Sequence, residues 1–332
     1  MSDRVVAIDV GGTNLKGALV DRRGKALLVR RRSTDVEAGS EAVVDAVVGL
    51  ARELAESEPD PGSGARAGAE SGPAGRPPVA IGLAVPGLVE ERTGTVLDAT
   101  NLHWRNVPIG SIAEGRLGVR VSVCHDVRAG AVAEGLLGAA RGHRDYVLLT
   151  LGTGIGAGVV IDGSAYTGAH GIGGELGHVA VDPRGPVCGC GRRGCLEALA
   201  SAGHISARYR EMRGAGVGAA AVTAEDVAGL AAGGDPIAEL IWSEAIDALA
   251  LAIANYGTLL DPELVVIGGG MAAAGDGLFG PLRRRLRAYT RFGEPPPVVP
   301  AALGEEAGRY GAAIAAWRAA GIDDAELAGW EL

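Results

Sequence analysis

The sequence has no excess of basic charge. Its 332 residues include 31 Lys and Arg against 40 Asp and Glu, which gives a formal net charge of −9. The two short arginine runs, at 30–32 and 283–285, are predicted to be solvated faces. Because proteins that bind DNA or RNA attract the phosphate backbone with clustered Lys and Arg, we expect no nucleic-acid partner.

Long apolar runs are also missing. No stretch approaches the roughly 20 apolar residues that a membrane-spanning helix needs, and the N-terminus shows no apolar signal region. With 47% hydrophobic residues the chain has ample material for a globular core. Cysteine is scarce, with four in all, and nothing indicates secretion. We therefore expect a cytoplasmic protein with no membrane partner.

Three of the four cysteines lie in one short segment. Cys188, Cys190 and Cys195 follow His178 within the stretch 175–197. Thiolates and imidazole are ligands that Zn²⁺ prefers, and three Cys with one His form a closed tetrahedral set. A disulfide or redox pair is the alternative, but the C-x-C spacing and the histidine favour a metal. Four protein ligands leave no position for water, so we predict a structural zinc site.

Glycine, in contrast, is abundant, with 55 residues. The stretch 5–21 has the pattern of strand, glycine turn and strand, and its turn Gly11-Gly12-Thr13 offers backbone N–H groups to a phosphate, with Lys16 as a nearby cation. A similar stretch, 147–162, contains G-x-G-x-x-A, which taken alone suggests a dinucleotide site. We reject that interpretation because a strand follows the glycines, where a dinucleotide-binding turn requires a helix.

The two hairpins are related by one constant offset, which predicts a duplicated unit. The matching positions are Gly11, Gly17 and Asp21 in the first hairpin and Gly152, Gly158 and Asp162 in the second. A third glycine turn, Gly268-Gly269-Gly270, follows a predicted buried strand. It favours contact with a base or ribose, although a tight strand-to-helix turn alone would need the same glycines.

Periodicity predicts the remaining elements. The predicted helices span 40–56, 127–140, 196 to beyond 209, 235–260 and 304–319. Segment 57–78 has few side chains able to pack and is predicted to be a mobile surface loop. A predicted strand at 119–123 leads to Cys124, His125 and Asp126. Polar groups at such strand ends are where α/β sheets bind ligands, although Asp126 could simply cap the next helix.

Together these motifs resemble the ROK family of sugar kinases and related repressors, within the sugar kinase/actin/Hsp70 superfold. The motifs that carry the resemblance are Asp9-Val10-Gly11-Gly12-Thr13, E-x-G-H at 175–178 and C-x-C-G-x-x-G-C-x-E at 188–197. The resemblance implies an α/β fold with two actin-like ATPase (ribonuclease H-like) domains flanking a central cleft. We expect one domain over 1–120 plus 304–332 and the other over 121–303.

The resemblance also implies a reaction and its residues: ATP with Mg²⁺ phosphorylates a hexose, most often glucose at the 6-hydroxyl. Asp126 matches the general base. The positions matching the sugar site are Gly87, Asn101, His125, Glu175, His178 and Glu197. Those matching the nucleotide site are Asp9 (near Mg²⁺), Gly11, Gly12, Thr13, Lys16, Gly152, Thr153, Gly154, Gly268, Gly269 and Gly270. His178, Cys188, Cys190 and Cys195 match the zinc ligands, and a homodimer is expected.

One departure from the family pattern leaves the sugar open. His125 stands where the family usually has Asn, and Val127-Arg128 replaces smaller residues. Glucose is our leading interpretation, and an N-acetylhexosamine or amino sugar is the alternative. A sugar-responsive repressor would need a DNA-binding domain ahead of the first strand, and we expect none. A sugar-binding or ATPase module without kinase activity is a further alternative, which the presence of Asp126 disfavours.

Overall fold

The computed structural model describes residues 3–57, 77–214 and 222–330. Most of the predicted mobile loop, residues 58–76, therefore lies outside the described residues. The chain divides into two compact units. The first contains Met1–Gly138, Thr167–Gly173 and Glu305–Leu332, and the second contains Ala139–Tyr166 and Gly174–Gly304.

This division differs from the predicted boundary at 120/121. The strand Val121–His125 pairs in parallel with the strand Ala80–Val85, so it completes the sheet of the first unit. Asp126 consequently belongs to the first unit and not to the second. The C-terminal segment Glu305–Leu332 also falls in the first unit.

The first unit is built on a five-stranded sheet. Its elements are β1 (Arg4–Val10), β2 (Asn14–Asp21), β3 (Ala26–Ser33), α1 (Ser40–Glu56), β4 (Ala80–Val85), β5 (Leu88–Glu90), β6 (Thr95–Ala99), β7 (Trp104–Val107), α2 (Ile109–Leu117), β8 (Val121–His125) and α3 (Asp126–Leu137). The strand order is β3-β2-β1-β4-β8, and β5-β6-β7 form a separate small sheet. Two C-terminal helices, α9 (Ala307–Ala319) and α10 (Asp324–Leu327), complete the unit.

The central strands of this sheet are apolar on both faces because helices cover them. All six residues of β4 are buried, as expected for a parallel strand between two helical layers. Helix α9 packs on β1 and β4 and against α3. It approaches β4 at Gly82, where an added Cβ would lie 1.9 Å from the carbonyl oxygen of Ala312. Only glycine permits this contact between helix and sheet.

The second unit repeats the same sheet plan. Its elements are β9 (Tyr146–Leu151), β10 (Ile155–Ile161), β11 (Ser164–Ala165), α4 (Leu196–Ala200), α5 (Ala202–Arg213), α6 (Ala224–Ala232), α7 (Pro236–Leu260), β12 (Leu264–Gly268), α8 (Asp276–Tyr289) and β13 (Val298–Pro300). The strand order is β11-β10-β9-β12-β13.

Both sheets consist of three antiparallel strands followed by two parallel ones. The duplication predicted from the two glycine hairpins is therefore confirmed. A strand, β10, follows the glycines at 152–154, so the reason for rejecting a dinucleotide site also holds.

The predicted long helix is confirmed as α7, whose apolar face lies in the core of the second unit. The helix predicted from 196 to beyond 209 is instead two helices, α4 and α5, separated at Ser201. The hydroxyl of Ser201 accepts a hydrogen bond from the backbone N–H of His204 and so caps α5. Among the described residues, no helix is long and apolar enough to cross a membrane.

Candidate functional site

The candidate site of the first unit lies at one edge of its sheet. Asp9 on β1, Ala84 on β4 and Cys124 on β8 are paired in register. These three strands are parallel, so their carboxyl ends meet at the same edge, where α/β sheets bind ligands. The next two residues after Cys124 are His125 and Asp126, which the structure thus brings to the same edge as Asp9. Burial raises the pKa of the Cys124 thiol, so this cysteine stays a thiol and is not a nucleophile of the site.

Asp126 is the first residue of α3, and its side chain is 30% exposed. Its Oδ1 accepts a hydrogen bond from the backbone N–H of Val127 at 2.7 Å, and His125 Nε2 lies 3.5 Å from the same oxygen. Within the described ranges 3–57, 77–214 and 222–330, no donor is bonded to Oδ2. Asp126 therefore keeps one carboxylate oxygen available to accept a proton.

Asp9 is a half-buried carboxyl beside this base. Burial raises its pKa to about 7, and the charge of Asp126 contributes in the same direction, while Lys16 and Arg309 act against it. The N-terminal turn of α9 packs on the carboxyl: an added Cβ on Gly308 would lie 2.9 Å from Asp9 Cγ. Two neighbouring carboxylates that repel each other offer oxygen ligands of the kind that Mg²⁺ takes, so the residues fit a divalent cation.

The turn at 11–13 is braced from below by Thr34, a fully buried residue. The Thr34 hydroxyl donates a hydrogen bond to the carbonyl oxygen of Gly11 at 2.6 Å. The backbone N–H of Thr34 donates to the carbonyl oxygen of Thr13 at 2.9 Å. Gly12 contacts Asn101, since an added Cβ would lie 3.3 Å from the Asn101 carbonyl oxygen. The structure thus brings together Gly12, predicted to bind phosphate, and Asn101, predicted to bind the sugar. The role of Thr34 was not predicted, because nothing in its local sequence marks it.

Two other predicted residues of this unit have identifiable surroundings. Lys16 Nζ lies 3.1 Å from Glu305 Oε2, so its charge is already paired in this structure. Gly87 has a φ of +93° and packs on the backbone of residues 98 and 99, where a Cβ would clash. Gly87 thus allows the chain to turn sharply between β4 and β5.

His125 and its neighbours form a network that the sequence did not reveal. The Glu91 carboxylate accepts hydrogen bonds from the backbone N–H of His125 at 3.1 Å and from Arg128 Nε at 3.0 Å. The His125 side chain is only 9% exposed. Both of its ring nitrogens face protein atoms, Arg128 N and Asp126 Oδ1, so the geometry does not favour the predicted contact of His125 with a sugar.

In the second unit, the four predicted metal ligands form one cluster. Their ligand atoms all lie within 4.8 Å of one another. His178 Nδ1 is 3.6 Å from Cys188 Sγ, and Cys190 Sγ is 3.6 Å from Cys195 Sγ. A tetrahedral zinc ion with bonds of about 2.0–2.3 Å separates its ligand atoms by roughly 3.6–3.8 Å. All four cysteines are free of disulfides. The residues therefore fit a metal ion, with His178 Nε2 left to bind elsewhere.

A single glycine shapes the metal-binding loop. Gly194, with a φ of +66°, lies directly before Cys195, and an added Cβ would be 1.5 Å from the carbonyl oxygen of Asp182. Backbone hydrogen bonds across this contact, from Val181 N and Asp182 N to the Gly194 carbonyl, close the loop. No other residue could occupy this position without displacing the loop.

Glu197 connects the metal cluster to the second glycine turn. Its Oε1 lies 3.7 Å from Cys188 Sγ, and its Oε2 accepts a hydrogen bond from Ile155 N at 2.9 Å. An added Cβ on Gly154 would be 2.6 Å from the same Oε2. Glu175, in contrast, is exposed, and it begins the short 3₁₀ turn that contains His178.

The third glycine turn lies at the same sheet edge as the second. Gly268 pairs with Thr150, and Gly269 packs on the end of β9 with a φ of +82°. An added Cβ on Gly269 would lie 2.5 Å from the carbonyl oxygen of Leu151. The structure therefore brings Gly268–Gly270 and Gly152–Gly154 together, as expected for two parts of one nucleotide site.

Comparison with known proteins gives the relationship that this geometry suggests. The family model described as "ROK family" matches residues 71–319. The chain belongs to the ROK family. It is 38% identical over 323 residues to a glucokinase of Thermotoga maritima, covering 93% of this chain and 96% of that protein. It is 36% identical over 315 residues to the bifunctional enzyme NanE/NanK of Brucella suis, covering 94% of this chain and 53% of that protein.

Solved structures of ROK proteins have the same fold. A ROK hexokinase from Thermus thermophilus superposes with a TM-score of 0.78 at 35% identity, covering 95% of this chain and 98% of that one. A ROK glucokinase from Streptomyces griseus, solved with glucose and AMPPNP, gives a TM-score of 0.78 at 28% identity, covering 95% and 99%. The predicted family and the predicted fold class, two actin-like α/β domains, are confirmed.

Proposed function

We propose that this sugar kinase transfers the γ-phosphoryl group of ATP to the 6-hydroxyl of glucose. The observation that carries the proposal is the placement of Asp126, a partly exposed carboxylate with a free Oδ2 beside the half-buried Asp9. Near-complete coverage of a glucokinase at 38% identity supports glucose as the acceptor.

The chemistry asks for a base and for charge neutralisation. Phosphoryl transfer requires little covalent work from the protein, and positioning and electrostatic stabilisation supply most of the rate. Asp126 accepts the proton of the attacking hydroxyl. Asp9 would hold Mg²⁺, and the bound ion would neutralise charge on the phosphate oxygens. The raised pKa of Asp9 supports this role, since a cation would relieve the repulsion between the two carboxylates.

The glycine turns bind the nucleotide. Backbone N–H groups of Gly11, Gly12 and Thr13 in the first unit, and of the turn 152–154 in the second, contact the phosphates. Gly268–Gly270 contact the adenosine, because a strand end without side chains lets a flat ring approach the backbone. Lys16 reaches a phosphate only after leaving Glu305, so its contribution depends on that exchange.

The sugar is bound by groups from the predicted set. In the first unit these are Asn101 and the backbone at Gly87, and in the second they are Glu175, His178 and Glu197. Carboxylates accept hydrogen bonds from hydroxyls, and a histidine whose Nδ1 ligates a metal donates through Nε2–H. We propose that the metal is zinc in a structural role: when bound, it fixes His178 and the loop that ends at Glu197.

The second candidate acceptor is an N-acetylhexosamine. The NanE/NanK relative is 36% identical, almost as similar as the glucokinase, although this chain spans about half of its length. Repressors also occur among the relatives: a putative xylose repressor of Caldicellulosiruptor is 29% identical over 288 residues. Because net charge and Asp126 both favour an enzyme, we retain the repressor only as the weakest alternative.

The test is a coupled ADP-release assay with a panel of acceptors. Purified protein receives ATP and Mg²⁺ with glucose, mannose, N-acetylmannosamine, glucosamine or no sugar, and ³¹P and ¹³C NMR identify the phosphorylated carbon. We expect the highest kcat/KM with glucose and phosphate on C6. Stronger turnover with N-acetylmannosamine would transfer the proposal to the alternative, and ADP release independent of any sugar would contradict a sugar kinase.

We further propose a homodimer, the commonest closed assembly. Phe292 and Leu259, both in the second unit, are 81% and 78% exposed and are apolar side chains that such an interface could bury. Light scattering coupled to size-exclusion chromatography tests this: a mass near 67 kDa is expected, twice the chain mass of 33.4 kDa. A mass near that of one chain at micromolar concentration would contradict it.

A further inference from the structure

Two residues beside Asp126 neither bind the phosphates nor accept the proton in the proposed phosphoryl transfer. His125 precedes the base and Arg128 follows it by one turn of helix, and both are buried, at 7% and 2% exposure. Buried ionisable side chains are costly unless they are paired, so their partners indicate what they do.

The two nitrogen atoms of the His125 ring contact different groups. Its Nδ1 accepts a hydrogen bond from the backbone N–H of Arg128 at 3.3 Å, which makes His125 the N-cap of α3. A ring nitrogen that accepts carries no proton, so the neutral ring has its proton on Nε2. That Nε2 lies 3.5 Å from Asp126 Oδ1.

Glu91 and Arg128 hold this arrangement in place. Glu91 Oε1 accepts both from the backbone N–H of His125 and from Arg128 Nε. Arg128 Nη1 donates to the carbonyl oxygen of Gly171 at 3.0 Å. The ion pair thus binds the residues on both sides of Asp126 and ties them to the segment 167–173 of the same unit. Because Arg128 is buried, loss of Glu91 would leave its charge uncompensated, so the arrangement resists rotation of the first turn of α3.

We propose that His125 is a positioning residue for the catalytic base and not a sugar ligand. Its Nε2–H faces Oδ1 of Asp126, which also accepts from the backbone N–H of Val127, so that Oδ2 is the oxygen that receives the proton. The proposal depends on the proposed kinase reaction for its catalytic meaning. The 3.5 Å separation is longer than a hydrogen bond, and catalytic contacts of this kind commonly shorten once the substrate is bound.

The bonds formed and broken in the transfer step balance. The acceptor O–H bond breaks and its proton passes to Asp126 Oδ2. The sugar oxygen forms a bond to the γ-phosphorus while the bond from that phosphorus to the β–γ bridging oxygen breaks, and ADP leaves with the electron pair. Asp126 interacts electrostatically with Asp9 and Cys124, and the other charged groups that act on these two neighbours are Lys16, Glu91, Arg128, Glu306 and Arg309.

The kinetic test compares His125→Asn with the wild type. Asparagine is a good N-cap and preserves the helix start, but it has no atom at the position of Nε2. We expect kcat to fall about tenfold, the sugar KM to stay within about twofold, and the acid limb of the kcat–pH profile to move to higher pH by about half a unit to one unit. His143→Asn, at an exposed histidine outside the site, is the matched control and is expected to leave all three unchanged.

Two kinetic results would overturn the proposal. A changed sugar KM or sugar preference with an unaltered kcat–pH profile would make His125 a sugar ligand, as the family resemblance implies. An unchanged kcat and profile would make the residue neutral. His125→Ala is expected to lose the cap as well, so it lowers the melting temperature in addition to kcat.

A measurement without turnover separates this proposal from the proposed function. The Cε1 proton signals of the six histidines are recorded by NMR at one fixed pH, with His125 assigned by its absence in His125→Asn. Replacing Asp126 by Asn removes the carboxylate that faces Nε2, so the His125 signal should move further than the signals of the other five histidines. If it moves no further than they do, the pairing is wrong even in an active kinase. If it does move further in a protein that phosphorylates no sugar, the proposed function fails and the pairing stands.

Discussion

Replacing Asp9 by Asn should stabilise the protein in Mg²⁺-free buffer at the same time as it removes kinase activity. The Asp9 pKa is raised from 3.8 to about 7, chiefly by burial and next by the charge of Asp126. Between these two values the folded protein holds a proton that the unfolded chain releases. The free energy of unfolding therefore decreases as pH rises through this window, and the decrease ends above about pH 7.

The magnitude follows from the size of the shift. A difference of about three pH units at about 1.4 kcal/mol per unit gives a loss of roughly 4 kcal/mol between pH 4 and pH 8, which is an order-of-magnitude figure. An asparagine cannot ionise, so Asp9→Asn lacks this decrease. The variant should exceed the wild type in stability by a few kcal/mol at pH 8 and by little at pH 4.

The assay is urea unfolding followed by far-UV circular dichroism at pH 5 and pH 8, without Mg²⁺. Asp45→Asn is the matched control in the same unit, since the Asp45 side chain is 68% exposed, and its effect should be below about 1 kcal/mol at both pH values. If the free energy of unfolding has the same pH dependence in the wild type and in Asp9→Asn, ionisation of Asp9 does not cause the decrease. The same follows if the wild type becomes more stable from pH 5 to pH 8 relative to the variant.

Three further predictions concern glycines and the metal. Purified wild-type protein should contain one zinc per chain by mass spectrometry of the metal, and none after exhaustive chelation with a parallel fall in melting temperature. Gly194→Ala should lose most of this zinc because its Cβ would collide with a backbone carbonyl, whereas Gly189→Ala, with nothing within 4 Å, should retain it; equal zinc contents would contradict the described loop. Gly82→Ala should destabilise the first unit by several kcal/mol in urea unfolding. The control Gly115→Ala, on the open face of α2, should stabilise the unit by up to about 1 kcal/mol. If Gly82→Ala has no effect on the free energy of unfolding, α9 can move away from β4.

Local sequence patterns were sufficient for several parts of the molecule. Helix α7 follows from its apolar period, and the two hairpins follow from strand-forming residues on either side of glycine. The metal cluster was predictable because three of its four ligands lie within eight residues. In each case the interacting groups are close in sequence, so the pattern contains the contact.

Contacts between distant segments could not be derived in the same way. The pairing of β8 with β4, which places Asp126 in the first unit, joins strands 40 residues apart. Glu91 reaches Arg128 across 37 residues, and Thr34 braces a turn 23 residues before it. Nothing in the residues around Glu91 distinguishes it from a solvated carboxylate. Only the fold shows that it holds the residues beside the base.

The break between α4 and α5 has a local cause that the apolar period concealed. Apolar residues continue at helical spacing through the break, but Ser201 adopts an extended conformation and caps the second helix. A serine within an apolar helical pattern is compatible with both interpretations, since its hydroxyl can bond to the backbone in either. The backbone N–H of Ala202 bonds to the carbonyl of Gly152, a tertiary contact that favours the break.

Sugar-stimulated ADP release by Asp126→Asn tests whether Asp126 is the base that activates a sugar hydroxyl. Asp324→Asn is the matched control, because Asp324 is also the first residue of a helix but lies in α10. We predict that Asp126→Asn lowers kcat by about 10²–10⁴-fold with a sugar KM within a few-fold of the wild type, while Asp324→Asn stays near wild-type activity. If the Asp126→Asn protein keeps its sugar-stimulated turnover, Asp126 is not the base.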